Sequence, residues 1–266
     1  MKRFFIACTP RTGNLWFRKL LTGSLGIMEM AAHNPEEVSW QTLPPECAVA
    51  MHWDYSSPFV AMLRSLDFTP VVTARHPLDV LISILQFSQS EPTARWLEGR
   101  GGSERVLRNA DPASPEFLQY ALSDRAAALL SVSAAWRSAA REIIRYEDLV
   151  KDPEAVLRRV LNTFGRSPRV PLPEVVAAHT FARLRPISTT HMWRGIPGLW
   201  RELLPEDRVH VIYRRHRLVF ESLGYQCDHP AAPTREVARE RWRALCAGDA
   251  SWMHSGTPRT RAQLTG

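Results

Sequence analysis

A turn that combines a guanidinium, a hydroxyl and a glycine follows the first apolar segment of the chain, residues 4–7. Arg11 offers a fork of N–H donors, Thr12 adds a hydroxyl donor, and Gly13 permits a positive φ or a close approach of the backbone. Apolar residues then recur at helical spacing from Asn14 onward. A strand, a tight turn and a helix in this order point backbone N–H groups and a helix dipole at one spot, which suits a phosphate or a sulfate. From this pattern alone, a connection that binds nothing is an equally good interpretation.

An arginine also follows another apolar segment, residues 70–74. Arg75 would leave the end of a strand, and Pro77 suits the first position of the helix that follows. Ser83 would then lie two turns along this helix, and an arginine with a hydroxyl nearby can hold a terminal phosphate. Taken alone, an arginine in this position is more often a surface or ion-pairing residue.

These side chains need elements that bring them together, and the hydrophobic pattern predicts alternating strands and helices. Buried strands are expected over residues 4–7, 47–51, 70–74 and 142–146. Helices are expected from Asn14, from Pro58, over residues 78–87, over residues 117–140 and from Asp152, with loops over residues 31–45 and 89–115. The alternation predicts an α/β fold with a central parallel sheet flanked by helices, and ligands of such sheets bind at the carboxyl ends of the strands.

The composition fits one α/β domain with a basic surface. The chain has 266 residues, of which 45% are hydrophobic, and a formal net charge of +7 at pH 7. Nucleic acid, acidic lipid and a charged nucleotide cofactor all fit this charge, but the basic residues are spread along the chain, which argues against a nucleic-acid-binding tail. The four cysteines show no metal-ligand spacing, and no run approaches the ~18 apolar residues of a membrane span. We therefore expect a cytoplasmic protein with no metal site, no membrane span and no nucleic-acid partner.

The turn after the first strand resembles the 5′-phosphosulfate loop of PAPS-dependent sulfotransferases, usually written YPKSGTTW or YPKSGNTW. Pro10, Gly13, Asn14 and Trp16 match this motif as they stand, whereas Arg11 replaces its lysine. Neither the Walker A pattern nor GxGxxG is present. The resemblance implies that the loop binds the cofactor through Pro10, Arg11, Thr12, Gly13, Asn14, Leu15 and Trp16.

The segment after the third predicted strand resembles the 3′-phosphate motif of the same family, RNPxDVxxS. Arg75, Pro77, Asp79, Val80 and Ser83 all match, with the spacing intact. The resemblance implies that Arg75 and Ser83 hold the 3′-phosphate of PAPS and of its product PAP (3′-phosphoadenosine 5′-phosphate).

Three later segments resemble further parts of the cofactor site. Tyr146 begins a YEDL segment whose tyrosine faces the adenine in the family, and Thr180 stands where a hydroxyl approaches the base. Arg194 and Gly195 resemble the start of the RKGxxGDW loop that closes over the 3′-phosphate, although Trp193 replaces its arginine. These residues are therefore expected to complete the nucleotide site.

A histidine lies between the two cofactor motifs, at the position where cytosolic sulfotransferases carry a general base within KTHLP. His52 is the one residue of that motif that carries over, since Ala50 replaces its lysine. An imidazole titrates near neutral pH and can remove the proton of an acceptor hydroxyl. Some relatives use a glutamate instead, so Glu36 and Glu37 stay as alternatives. The catalytic residues implied are His52, Arg11 and Ser83.

The resemblance as a set predicts a P-loop-like sulfotransferase fold over residues 1–228 and transfer of a sulfuryl group from PAPS to a hydroxyl or amine. Residues 229–266 hold an expected helix and a polar tail, either part of the same domain or partly disordered. The acceptor would be a small molecule or natural product, and Trp40, Trp53, Tyr55 and Phe87 either line an apolar pocket for it or belong to the core. The alternatives are an atypical nucleotide kinase and a non-catalytic nucleotide- or anion-binding protein on the same fold.

Overall fold

The computed structural model describes residues 3–89, 104–186, 193–228 and 232–254. Its five strands form one parallel sheet in the order β2-β3-β1-β4-β5. The predicted α/β architecture with a central parallel sheet is confirmed, and its central strands are buried because helices cover both faces. The strands are β1 (Arg3–Cys8), β2 (Met28–Ala32), β3 (Cys47–Met51), β4 (Phe68–Ala74) and β5 (Glu142–Arg145).

Helices connect the strands and form the C-terminal part of the described chain. Several begin at a serine, threonine or aspartate whose side chain accepts a hydrogen bond from a first-turn N–H, as N-caps do. None of the helices in the described ranges is long and apolar enough to cross a membrane. The helices are α1 (Asn14–Leu25), α2 (Ser57–Ser65), α3 (Pro77–Phe87), α4 (Pro115–Leu122), α5 (Asp124–Trp136), α6 (Tyr146–Lys151), α7 (Pro153–Thr163), α8 (Leu172–Ala178), α9 (Phe181–Leu184), α10 (Trp200–Leu203), α11 (Glu206–Leu223) and α12 (Arg235–Cys246).

Two consecutive residues of β1 anchor the two faces of the sheet. Phe4 packs edge-on against Phe164 at a centroid distance of 5.2 Å, in a core shared with α1, α7 and α8. Phe5 points to the opposite face and packs against Trp136 at 4.9 Å, in a core shared with α2 and α5. Burying each of these rings contributes about 2–3 kcal/mol, so the first strand is fixed from both sides.

The edge strand β2 differs from the sequence prediction, which treated residues 31–45 as a loop. Met28–Ala32 pairs with β3, and the rest of that stretch holds two short 3₁₀ turns, Pro35–Glu37 and Trp40–Thr42. The strand is hard to recognise because a glutamate and two alanines give it weak intrinsic β-propensity. Pairing with β3 stabilises it in the folded chain.

Two helix boundaries also differ from expectation. The single helix predicted over residues 117–140 is two helices, α4 and α5, separated at Ser123. The Ser123 side chain accepts the N–H of Ala126 and caps α5, so the backbone leaves helical geometry there. Tyr146, expected in the last strand, is the first residue of α6.

The C-terminal segment is attached to the start of α3. The buried Asp79 carboxylate accepts the N–H groups of Gly198 at 2.6 Å and Trp200 at 3.0 Å. His76 stacks on the Trp200 indole at 4.6 Å and donates from Nε2 to the Gln226 carbonyl at 2.9 Å. The loop around residue 198 is therefore held against the helix that carries Ser83.

The last helix belongs to this same core. Trp242 and Leu245 of α12 are buried together with Trp200 and residues of α3. Residues 255–266 of the predicted polar tail lie outside the described residues.

The buried imidazole of His76 should make the free energy of unfolding depend on pH. Burial lowers the pKa of His76 from 6.5 to about 4. Between these values an unfolded chain binds a proton that the folded chain does not, so stability falls as the pH drops from about 6.5 to 4. This group accounts for about 3 kcal/mol of that loss.

Chemical unfolding of wild type and His76→Asn over this pH range measures the effect. We expect a shallower loss in the variant, whereas His210→Asn, on the exposed face of α11, should keep the wild-type slope. Equal slopes for wild type and His76→Asn would contradict the assignment.

Candidate functional site

A cavity of about 390 Å³ lies at the carboxyl ends of the strands, where the α/β fold is expected to bind ligands. It brings together most of the residues that the sequence predicts for the site. They come from the loop after β1, the end of β3, the end of β4, helix α3 and the start of α6. These residues are Pro10, Arg11, Gly13, Asn14, Leu15, Trp16, His52, Arg75, Ser83 and Tyr146.

The loop after β1 is held in place from beneath. The buried Thr12 hydroxyl donates to the Thr9 carbonyl and lies 2.8 Å from the Thr73 hydroxyl, so it braces the loop against β4 without lining the cavity. Thr9 in turn accepts the N–H of Ser133 at 3.1 Å and donates its own N–H to the Ser133 hydroxyl at 2.7 Å. Arg11 has a φ of 68°, a conformation that non-glycine residues rarely adopt and that these contacts maintain.

The N-terminus of α1 faces the cavity as an anion-binding end. Gly13 precedes the helix with a φ of 78°, no side chain caps the helix, and its first turn has no acidic residue. The first N–H groups of a helix lack partners within it, and they carry the positive end of the dipole. This end is therefore suited to a phosphate or a sulfate.

Two guanidinium groups lie in the same cavity, and the buried Asp79 carboxylate pairs with one of them, its Oδ2 atom lying 3.9 Å from the Arg75 Nε. Arg11 donates from Nε to the Ser83 hydroxyl at 2.9 Å, and its guanidinium lies 4.7 Å from the Phe87 ring centroid. The Arg75 guanidinium lies 4.5 Å from the Tyr146 ring, and its buried Nε makes no hydrogen bond. Burial, followed by the charge of Arg75, lowers the pKa of Arg11 to about 9. An anion bound between them would relieve both the desolvation and the repulsion.

Two aromatic residues form one end of the cavity. Trp16 meets Tyr146 edge to face at 6.4 Å and donates from its indole to the His179 carbonyl at 2.8 Å. A Cβ at Gly13 would overlap the ring of Tyr146, so the glycine is needed for this packing as well as for its positive φ. Such a pair offers flat surfaces to a purine.

His52 lies on the opposite side of β1 from these rings. Its Nδ1 is 2.7 Å from the Cys8 carbonyl oxygen, which can only accept, so Nδ1 carries the proton. The Cys8 thiol is 3.2 Å from the same nitrogen. The Nε2 atom is then the basic nitrogen of the neutral ring, the form required of a general base.

Three residues predicted for the nucleotide site do not line the cavity. Thr180 is exposed and caps α9 by accepting the Arg183 N–H. Arg194 donates to the Leu245 carbonyl at 2.9 Å, towards α12. Gly195 lies against the ring of Phe181. Their part in the site stays a prediction.

Of the two alternative bases and the four aromatic residues considered for an acceptor pocket, Phe87 alone lines the cavity. Neither Glu36 nor Glu37 lines it, and Glu37 accepts the His33 N–H at 2.8 Å within its own turn. Trp40 lies in the core under β1 and β3, whereas Phe87 lines the cavity. Trp53 and Tyr55 are among the exposed large side chains and also do not line it.

Four polar residues that the sequence did not indicate also line the cavity: Arg18, Lys19, Glu29 and His33. They were missed because β2 was not recognised, so the partners of α1 on that side were unknown. The sequence did contain one indication of β2, the Met-Glu-Met alternation at residues 28–30. A strand places alternate side chains on opposite faces.

No protein family matches the chain, and a comparison with curated proteins finds no match. Among solved structures, the chain is similar to mouse sulfotransferase SULT7A1 complexed with PAP, at a TM-score of 0.60 and 13% identity over 85% of each chain. This chain has the sulfotransferase fold. Retinol dehydratase, with androsterone and PAP or with retinol and PAP, matches at 12% identity over 86% of this chain and 84% of its own. Those TM-scores, 0.46 and 0.48, are too low to support an argument.

The P-loop-like sulfotransferase fold predicted from the motifs is thus confirmed. At 13% identity the similarity establishes the fold alone, because one fold supports different activities. The activity has to be argued from the residues of the cavity.

The close approach of Gly13 to Tyr146 can be tested by adding one methyl group. Gly13→Ala introduces both a strained φ and an overlap with the ring, and we expect it to lower the free energy of unfolding by about 2–4 kcal/mol. Gly165→Ala is the matched control, because Gly165 has a φ of 60° but nothing within 4 Å of its added Cβ. It should cost about 1 kcal/mol from strain alone. Equal losses in urea unfolding would show that the ring of Tyr146 does not occupy that space.

Proposed function

We propose that this chain transfers a sulfuryl group from PAPS to a hydroxyl or amine of a small-molecule acceptor, as expected from its motifs. The observation that carries the proposal is the pair of partly buried guanidiniums, Arg11 and Arg75, beside the uncapped N-terminus of α1. These positive groups lie at the ligand-binding edge of a sulfotransferase fold.

The residues present fit a nucleotide with two anionic ends. We assign the 5′-phosphosulfate to Arg11 and the N–H groups at the start of α1. Arg75, whose guanidinium lines the cavity, and Ser83 are assigned to the 3′-phosphate. Trp16 and Tyr146 would contact the adenine. When bound, PAPS supplies an activated sulfuryl group.

The chain itself provides charge and a proton acceptor. Arg11 and the loop N–H groups stabilise negative charge that develops on the transferring and leaving oxygens. His52, held in one tautomer by the Cys8 carbonyl, takes the acceptor proton at Nε2. Binding of both reactants in the cavity beside these groups would orient them, which lowers the entropic part of the barrier.

One observation favours a second function, the non-catalytic binding of a nucleotide or another anion. The Arg11 guanidinium is engaged by the Ser83 hydroxyl and the Phe87 ring, and it stands where sulfotransferases of this type carry a lysine. Arginine keeps the charge but is bulkier, so binding without turnover is the alternative outcome.

The cytoplasmic location also stays a prediction.

Calorimetric titration with PAP, ATP and adenosine 5′-phosphosulfate tests the cofactor, and release of PAP from PAPS in the presence of a panel of phenols, alcohols and amines tests the transfer. Tight binding of PAP with acceptor-dependent turnover supports the enzyme. Binding of PAP without turnover on any acceptor supports the second function.

His52→Gln removes the basic nitrogen while keeping a polar side chain of similar size. We expect kcat with PAPS and the best acceptor of the panel to fall about 10²- to 10⁴-fold, because general base catalysis is lost. PAP affinity should stay within about twofold. His210→Gln, on the exposed face of α11, is the control. Near-normal turnover in His52→Gln would remove the histidine from this role.

Arg75→Gln tests the assignment of the 3′-phosphate. PAP affinity should fall roughly tenfold to a hundredfold, because a charge-assisted hydrogen bond is lost. Affinity for adenosine 5′-phosphosulfate, which lacks the 3′-phosphate, should change little. Calorimetry on both ligands measures the difference, with the exposed Arg64→Gln as control. Equal losses for the two nucleotides would rule out this assignment.

A further inference from the structure

A charged cluster lines the cavity on the side of β2. Glu29 lies between Arg18 and Lys19 of α1, with the Arg18 Nε 3.2 Å from Glu29 Oε2 and Lys19 paired with Oε1. The Thr22 hydroxyl donates to Glu29 Oε2 at 3.4 Å. All three charged side chains line the cavity, so the cluster is part of its wall as well as a link between α1 and β2.

The hydrogen-bond donors of this cluster exceed its acceptors. Both carboxylate oxygens of Glu29 are already occupied. Within the described residues, Arg18 makes its polar contacts through Nε alone, although its side chain is only 11% exposed. The Nη groups of Arg18 and part of the Lys19 ammonium therefore remain as donors, and the cluster carries one net positive charge.

The strand order places this cluster on the β2 side of the cavity, where Glu29 is the second residue of β2 and pairs with Ala48 of β3. From one edge of the sheet to the other, the strands contribute Glu29 on β2, His52 after β3, Arg11 after β1, Arg75 after β4 and Tyr146 after β5. If the nucleotide lies along β4 and β5 and its sulfuryl end meets Arg11, the acceptor has to approach from β3 and β2. The wall there combines this charged cluster with His33 and with the apolar residues Ala31, Ala32, Ala50 and Met51.

We infer that the acceptor carries an oxyanion, a carboxylate or a phosphate, which Arg18 and Lys19 bind while His52 faces the acceptor hydroxyl or amine. This inference rests on the proposed function. The planar fork of a guanidinium matches both oxyanions, and few other side-chain groups combine charge with such geometry. An acceptor with a second, cationic group is disfavoured, because Glu29 is already neutralised and the net charge would repel it.

Matched phenols that differ in charge provide the test. The affinities of 4-hydroxyphenylacetate, 4-hydroxybenzylphosphonate, 4-ethylphenol and tyramine would be measured by calorimetry on the protein saturated with PAP. Their kcat/KM values with PAPS would be measured in parallel. We expect the two anions to bind about tenfold to a hundredfold more tightly than 4-ethylphenol, and tyramine to bind most weakly. The tighter of the two anions identifies the oxyanion as carboxylate or phosphate.

Two variants locate the origin of this preference. Arg18→Gln should reduce the preference for the anions over 4-ethylphenol to about twofold or less. Lys19→Gln, at a side chain that is 34% exposed, should lower it in part and is available if Arg18→Gln does not fold. Arg64→Gln should keep the full preference, since Arg64 lies on the exposed face of α2.

The outcomes separate this inference from the function on which it rests. A preference that is absent, or that persists in both Arg18→Gln and Lys19→Gln, overturns the inference and leaves the proposed function intact. The same holds if PAP binds but none of the four phenols does. If PAP itself fails to bind, the proposed function is wrong and the inference falls with it.

Discussion

The burial of two like charges in one cavity is the constraint on which the rest of the site depends. Arg11 and Arg75 are both largely removed from water, and the charge of Arg75 contributes to the lowered pKa of Arg11. Contacts with Phe87 and Tyr146 place each guanidinium over an aromatic face, which offsets part of the desolvation. The remaining repulsion, which the Asp79 carboxylate beside Arg75 reduces, favours an anion near both groups.

The two arginines keep their positions only if the elements that carry them are held together. The buried Asp79 carboxylate makes several of the contacts that do this. Asp79 lies one turn after Arg75 and accepts two backbone N–H groups from the loop that precedes α10. Burial raises its pKa, while the charge of Arg75 and the two N–H groups act in the opposite direction. One residue thus joins the strand end that carries Arg75, the helix that carries Ser83 and the C-terminal segment.

The parallel sheet arranges the chemistry in a row because all strand ends face the same edge. Aromatic and arginine side chains on the β4 and β5 side suit a nucleotide, Arg11 lies at the centre, and His52 follows on β3. Arg18 and Glu29 line the β2 side of the same cavity, although Glu29 lies near the start of that strand and not at its carboxyl end. The order of the strands, which differs from their order in the chain, therefore decides which of these residues lie next to one another along the cavity.

The sequence by itself determined the parallel α/β architecture and the loop, helix and strand-end positions of Arg11, His52, Arg75 and Ser83, because these follow from local hydrophobic periodicity and short motifs. It could not determine β2, whose weak propensity is overcome only by pairing with β3. For the same reason the contact of Arg18 with Glu29 was decided by the tertiary structure alone. The inward or outward direction of long polar side chains, such as Arg194 towards α12, likewise depends on neighbours distant in sequence. Local patterns specify where a side chain leaves the backbone, and packing decides what it reaches.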